Sequence, residues 1–203
     1  MKIVRKLYDW VLSWAESPYG AFALFVLAFA ESSFFPVPPD VLLIALVLGS
    51  QTKAFRYALI CSVGSVFGGL FGYLIGSTLW YSGADYSSLA VFFFDNIPGF
   101  TQELFESVKM SYDEYGFWIV FTAGFTPIPY KIFTIASGVT EMNIFMFVIA
   151  SLVSRTARFS LVAFLLWKFG APIKSFIDKY FNLLAILFTV LLVGGFVLIK
   201  YLV

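Results

Sequence analysis

Apolar residues fall in long blocks along this chain, punctuated by prolines and by charges sorted by position. The blocks at residues 55–81 and 144–167 are long enough for full membrane-spanning helices, which need about 20 apolar residues. A third block closes the chain at residues 181–203, interrupted only by Gly194, Gly195 and Lys200. Two further blocks are broken. Residues 19–50 contain ESSFFPVPPD at positions 31–40, where Pro36, Pro38 and Pro39 sit between Glu31 and Asp40. Proline lacks an N–H and turns the preceding residue away from helix, so no straight helix passes through this stretch. The legs left over are about 16 and about 10 residues, and the second is short for a crossing. Non-helical backbone at membrane depth survives only where protein or a watery cavity covers it. The expectation is therefore a re-entrant hairpin that dips into the bilayer and turns back at the prolines. Residues 116–140 repeat the design, with GFTPIPYK at 124–131 broken at Pro127 and Pro129 beside Lys131. The pattern predicts one all-α polytopic membrane domain over residues 1–203. In it, two inverted-topology re-entrant hairpins pack with about three full transmembrane helices and with interfacial amphipathic helices.

The polar remainder orients this arrangement. In residues 1–18, Ile3, Leu7, Trp10, Val11 and Trp14 recur at helical spacing opposite Lys2, Arg5, Lys6 and Asp9, as in a helix lying on a membrane surface. Residues 82–115 set Asp85, Asp95, Glu103, Glu106, Asp113 and Glu114 against Lys109, which reads as a solvated acidic loop carrying a surface helix from about Thr101. Residues 168–180 are short, basic and interfacial. Placing Lys2, Arg5, Lys6, Lys53, Arg56 and Lys168–Lys179 inside puts the N-terminus in the cytoplasm and the acidic loop outside. Legs that crossed completely would give the same sidedness, so charge fixes orientation and leaves the depth of the hairpins open. Within 55–81, Gly64, Gly68, Gly72 and Gly76 fall on every fourth residue, a mark of close helix packing rather than of a site.

Composition narrows the chemistry. With 61% hydrophobic and 12% charged residues, the chain is not patterned as a water-soluble domain. A net charge of +1 offers no field for nucleic acid. Cys61 is alone, and there is no histidine, so neither an intrachain disulfide nor a common metal site is expected, and no cofactor is implied. No Gly-x-Ser-x-Gly turn or P-loop is present, and an enzyme is not expected. What remains is a set of ionisable residues at membrane depth: Glu31, Asp40, Lys131, Arg155 and Arg158. Ser151, Ser154, Arg155 and Arg158 share one helical face, which should look inward. Lys131, Arg155 and Arg158, with Tyr130, are candidates to bind an anionic head group. Glu31 and Asp40 are candidates for proton coupling or gating. The same acids and cations would also serve as structural pairs. Ser32, Ser33, Thr126 and Thr134 suit bonds to backbone freed at the prolines.

The motif E-x(4)-P-x-P-x-D, followed by GFTPIPYK and Ala-Ser-Gly, resembles the DedA family of membrane proteins, also called SNARE-associated or VTT-domain proteins, in the branch related to YqaA. The resemblance covers roughly residues 19–167. It implies two opposed re-entrant hairpins and lipid translocation. Bacterial members are implicated in returning undecaprenyl phosphate or phospholipid across the inner membrane, often with dependence on the proton gradient, and eukaryotic relatives act as scramblases. By position the family's acidic pair falls on Glu31 and Asp40. In the second hairpin Gly124 and Pro127 match, Phe125 stands where an arginine is usual, and Lys131 replaces a second arginine.

The sequence thus points to a multi-pass inner-membrane flippase or scramblase for an anionic lipid. Membrane lipids and protons are its expected partners, and a second copy of the chain is compatible with them. The competing expectations are a proton-driven transporter of a small solute or ion and a non-transporting assembly factor.

Overall fold

A computed structural model describes residues 14, 17–35, 37–83, 85–96, 101–126, 128–170 and 172 of the chain. Most of the expected surface helix at 1–18, Pro36, Pro127, nearly all of the basic stretch after Phe169 and the whole expected span 181–203 lie outside these residues.

Among the described residues the chain forms seven α-helices and one two-stranded ladder. Helix α1 (Gly20–Ser33) ends where Phe34 N–H and Phe35 N–H both turn back to Ala30 O, at 2.8 and 2.7 Å. Helix α2 (Asp40–Gly49) starts behind Pro39, whose φ of −69° already suits a helix and whose carbonyl accepts from Leu43 N–H at 2.9 Å. A turn of 3-10 helix, Gln51–Lys53, leads into α3 (Ala54–Trp80). This helix is about 40 Å long at 1.5 Å per residue, and it and α7 below are each long and apolar enough to cross a membrane.

The acidic loop holds more structure than expected. Strands β1 (Tyr81–Ser82) and β2 (Asp85–Tyr86) pair antiparallel across Gly83, which takes φ +70°, and α4 (Ser88–Asn96) follows. Trp80, Ala90 and Phe105 form a small core here, with the rings of Phe93, Phe94 and Phe105 around the Trp80 indole. At this end Lys109 donates to Glu141 at 2.7 Å, and that bond holds the ammonium pKa well above its ordinary value. Tyr86 donates to Glu106 at 2.6 Å, which helps push its pKa up to about 12.

Helix α5 (Gln102–Phe125) corrects the expected boundary between a surface helix ending at 115 and a hairpin leg beginning at 116. It is one continuous helix, capped by the Thr101 hydroxyl, which accepts from Leu104 N–H at 3.2 Å. Nothing near Tyr115 breaks it, and its buried face runs unbroken through Phe105, Tyr112, Gly116, Val120 and Ala123. After the second break come α6 (Tyr130–Val139), a turn with Glu141 at φ 55°, and α7 (Ile144–Phe169). Asn143 caps α7, its side-chain oxygen accepting from Phe145 N–H and Met146 N–H at 3.0 and 3.1 Å.

Each half of the chain therefore reads leg, break, short leg, long helix. The long helices α3 and α7 are antiparallel: Phe55 meets Trp167, Ser65 meets Arg155, and Tyr73 meets Phe147. Leg α1 packs along α3 and α5 along α7, while each short leg packs on the long helix of the other half, α2 on α7 and α6 on α3. The glycines of α3 make this possible. A Cβ on Gly64 or Gly68 would lie under 3.0 Å from the backbone of Phe25 or Phe29 in α1, and one on Gly76 would do the same to Ile135 in α6. One face of α3 thus receives α1 along its first half and α6 along its second.

The surface is more apolar than the interior at the same level. Phe67, Phe71 and Leu74 on α3, Trp118 on α5, and Leu152, Val153 and Leu161 on α7 are exposed, while α7 turns Ser151, Ser154 and Arg155 inward. A water-soluble protein has the opposite distribution.

Because a methyl at Gly68 or Gly76 has no room, Gly68→Ala and Gly76→Ala should each destabilise the folded protein by about 1–3 kcal/mol, read as unfolding in mixed micelles. Gly49→Ala, with nothing within 4 Å, is the control and should be neutral or slightly stabilising. Equal effects at all three positions would contradict the packing described.

Candidate functional site

Two apolar cores lie toward opposite ends of the α3–α7 pair. One gathers Leu24, Leu43, Ala58 and Phe159, the other Val120, Ala123, Phe147 and Ala150. Between them is a polar layer in which Ser32, Ser33, Ser65, Thr134, Ser151, Ser154 and Arg155 are all buried. The five ionisable residues singled out from the sequence converge on this layer, brought there by the two breaks and by the inward face of α7.

Arg155 is 3% exposed and is held on every side. Its Nη2 donates to Glu31 Oε2 at 3.0 Å and its Nε to Ser65 Oγ at 2.6 Å. Its guanidinium lies over the Tyr130 ring at 4.8 Å and the Phe159 ring at 4.6 Å. Ser32 donates its one hydroxyl proton to Glu31 Oε2 at 3.3 Å, so Ser65 must donate across the 2.6 Å contact to Ser32. Arg155, Ser65, Ser32 and Glu31 thus close a ring of hydrogen bonds on one carboxylate oxygen.

Arg158 sits one helical turn along. Its Nη2 donates to both oxygens of Asp40, at 3.1 and 3.0 Å, and its Nη1 donates to Thr126 O at 2.7 Å. That carbonyl is where α5 ends, so one guanidinium joins the start of α2 to the second break. Its Nε is buried without a hydrogen-bond partner among the described residues. Lys131 makes the reciprocal link. From the first turn of α6 its Nζ donates to Phe35 O, in the first break, at 3.1 Å. Among the described residues no carboxylate lies within ion-pair distance of Lys131, while Arg155 and Arg158 each have one. Two carboxylates against three cations leave a surplus positive charge, and it resides on Lys131.

Tyr130 is fully buried. Its hydroxyl donates to Ser151 and its ring supports Arg155, so it acts on the site by holding that arginine. Of the hydroxyls expected to serve freed backbone, Thr134 does so, donating to Ser32 O at 3.0 Å across the meeting of α1 and α6; Ser33 donates to Phe29 O and Gly68 O and Thr126 to Thr122 O, carbonyls within helices, and Ser32 turns to Glu31 and Ser65 instead. Pro38 and Pro39 lie in the first break and Pro129 stands at the head of α6. Ser65 was not singled out by the sequence reading. Its only signal was a hydroxyl beside Gly64 on the glycine-rich face.

Chemically, among the described residues the layer offers an ammonium that is bonded to a carbonyl and has no carboxylate partner, a buried guanidinium Nε without an acceptor, and two cations held by carboxylates. A phosphate-like anion would find donors here, and a proton on Glu31 or Asp40 would loosen the arginine paired with it. Glu31→Gln should leave Arg155 buried without its counter-charge and cost about 3 kcal/mol or more in a micelle unfolding assay. Adding Arg155→Gln to that variant should cost far less than Arg155→Gln does alone. Additive costs would mean the pair is not coupled.

The chain is 37% identical over 187 residues to a protein of Haemophilus influenzae described as an uncharacterized protein, a match that spans 88% of this chain and 90% of that one. The uncharacterized protein HI0703 homolog of Histophilus somni is 36% identical over 187 residues, spanning 88% and 91%. The uncharacterized protein MJ0201 of Methanocaldococcus jannaschii is 29% identical over 145 residues, spanning 71% and 82%. No family model matches the chain, and no solved structure matches it. With identity of 37% and 36% sustained over most of both partners, this chain belongs to the same family as the Haemophilus influenzae and Histophilus somni proteins.

Proposed function

We propose that this protein is a multi-pass inner-membrane transporter, of the DedA type, that moves an anionic lipid between leaflets. Its cargo is a phospholipid or a polyprenyl phosphate such as undecaprenyl phosphate. The observation that carries this reading is the surplus positive charge of Lys131, placed where the two helix breaks meet, midway along two helices of membrane-spanning length. A charged group at the centre of a bilayer costs on the order of 3 kcal/mol or more, and a head group in transit meets the same penalty. A fixed cation at that depth offsets it, and an ammonium suits phosphate as a point charge.

In this reading the broken helices are re-entrant hairpins entering from opposite sides, the N-terminus is cytoplasmic, and the acidic segment is external. Arg155 and Arg158 are held in reserve by Glu31 and Asp40. Protonating Asp40 frees Arg158 for the lipid phosphate, and its deprotonation returns the arginine, which links head-group binding to the proton gradient. No phosphoryl bond is made or broken; the site binds and releases.

The test is leaflet exchange of labelled phosphatidylglycerol in proteoliposomes. Lys131→Ala should slow exchange about tenfold, the equivalent of one charge-assisted contact, and Lys131→Arg should retain most of it. Asp40→Asn should leave exchange measurable but insensitive to an imposed pH gradient. Wild-type protein that exchanges no anionic lipid, or a Lys131→Ala variant as fast as wild type, would count against this function.

A further inference from the structure

A groove of about 240 Å³ opens beside the first hairpin, walled among the described residues by Phe22, Ala23, Val26 and Ala30 of α1, by Phe35 in the break, by Leu42 of α2 and by Trp14 of the segment that precedes α1. All its walls are apolar. From Phe22 to Ala30 it follows α1 for about 12 Å at 1.5 Å per residue. Its wall includes Phe35, the residue whose carbonyl holds the Lys131 ammonium at 3.1 Å. Ala30, on the wall, immediately precedes Glu31 of the buried ring.

The geometry points to a binding groove for one hydrocarbon chain of an anionic lipid, its phosphate at Lys131; this rests on the lipid-transport reading above and specifies its substrate contact. The occupant is argued from two features that an amphiphile satisfies together: an apolar trough and, held by the carbonyl of its wall residue Phe35, a cation with no carboxylate partner among the described residues. A chain already dissolved in hydrocarbon gains little by entering another apolar surface, since no water is released. The groove therefore does not trap the lipid. It lets the tail stay in apolar surroundings while the head group is drawn to mid-depth, and it selects by shape. At this volume it accommodates part of one chain, so lipids with one long slender chain and those with two would both enter by a single tail.

The experiment uses the full-length protein in vesicles of phosphatidylcholine containing phosphatidylglycerol with a diazirine on one acyl chain. After illumination, adducts should concentrate on peptides containing Phe22, Val26 and Leu42, and the zwitterionic lipid carrying the same diazirine should give about tenfold fewer, matching the loss of one charged contact. Adducts spread evenly over exposed apolar positions of α7, such as Leu161 and Phe164, would overturn the groove. Filling it with Ala23→Trp and Ala30→Phe should remove these adducts, and adducts that persist in the filled protein would overturn it too. A photoreactive residue at position 26 that joins to residues 1–13 rather than to lipid would assign the groove to the chain's own N-terminal segment and overturn the inference. Leaflet exchange measured on the same vesicles separates the two claims. Groove adducts without exchange support the groove and remove transport; exchange unchanged by filling, without groove adducts, removes the groove and leaves transport standing.

Discussion

A carbonyl freed where a helix breaks among apolar neighbours must find a donor, and here both breaks take theirs from cations of the second half of the chain. Phe35 O in the first break is met by Lys131, from the helix that follows the second. Thr126 O in the second is met by Arg158, whose other arm holds Asp40 at the head of the helix that follows the first. Prolines alone would leave two unpaired ends. Because Lys131 reaches across to the first break, and Arg158 reaches the second while holding Asp40 of the first half, the two breaks are tied together only when the halves have come together, and the polar layer is a consequence of that assembly.

Packing makes these links geometrically feasible. The glycine face of α3 brings α1 and α6 close enough for Thr134 to reach Ser32 O, and α7 delivers its two arginines to the same layer by lying antiparallel to α3. Small residues let backbones approach, and the polar groups then have only one another to bond with. The ring of Arg155, Ser65, Ser32 and Glu31 closes on one carboxylate oxygen, while among the described residues Lys131 has no carboxylate within ion-pair distance and Arg158 keeps a buried Nε without a hydrogen-bond partner.

Much of this was legible in the residues. Prolines forbid continuous helix, glycines at every fourth position announce close packing, and charges in apolar runs must turn inward, so the breaks, the two long helices and the five ionisable residues could be read directly. The pairing could not. Which carboxylate meets which arginine depends on the register between α1, α2 and α7, and the acceptors Phe35 O and Thr126 O are backbone atoms with no signature of their own. The run of α5 through Tyr115 and Gly116 was missed for a related reason: the change from acidic to apolar residues marks a change of surroundings, and the helix passes through it because its buried face continues. Ser65 was hidden by its neighbours, one hydroxyl in a face read as glycine packing.

The account depends most on the two breaks lying at mid-depth rather than emerging from the far side of the membrane. With Cys61 replaced by serine, single cysteines at Val37 and Ile128 can be challenged with a bulky membrane-impermeant maleimide from either side of sealed vesicles, with Lys53→Cys and Glu141→Cys as surface markers. The account predicts that the two markers label from opposite sides and that Val37→Cys and Ile128→Cys label from neither. Strong labelling of Val37→Cys from the side opposite Lys53→Cys would mean that the first hairpin crosses completely, and the breaks would then not meet within the membrane.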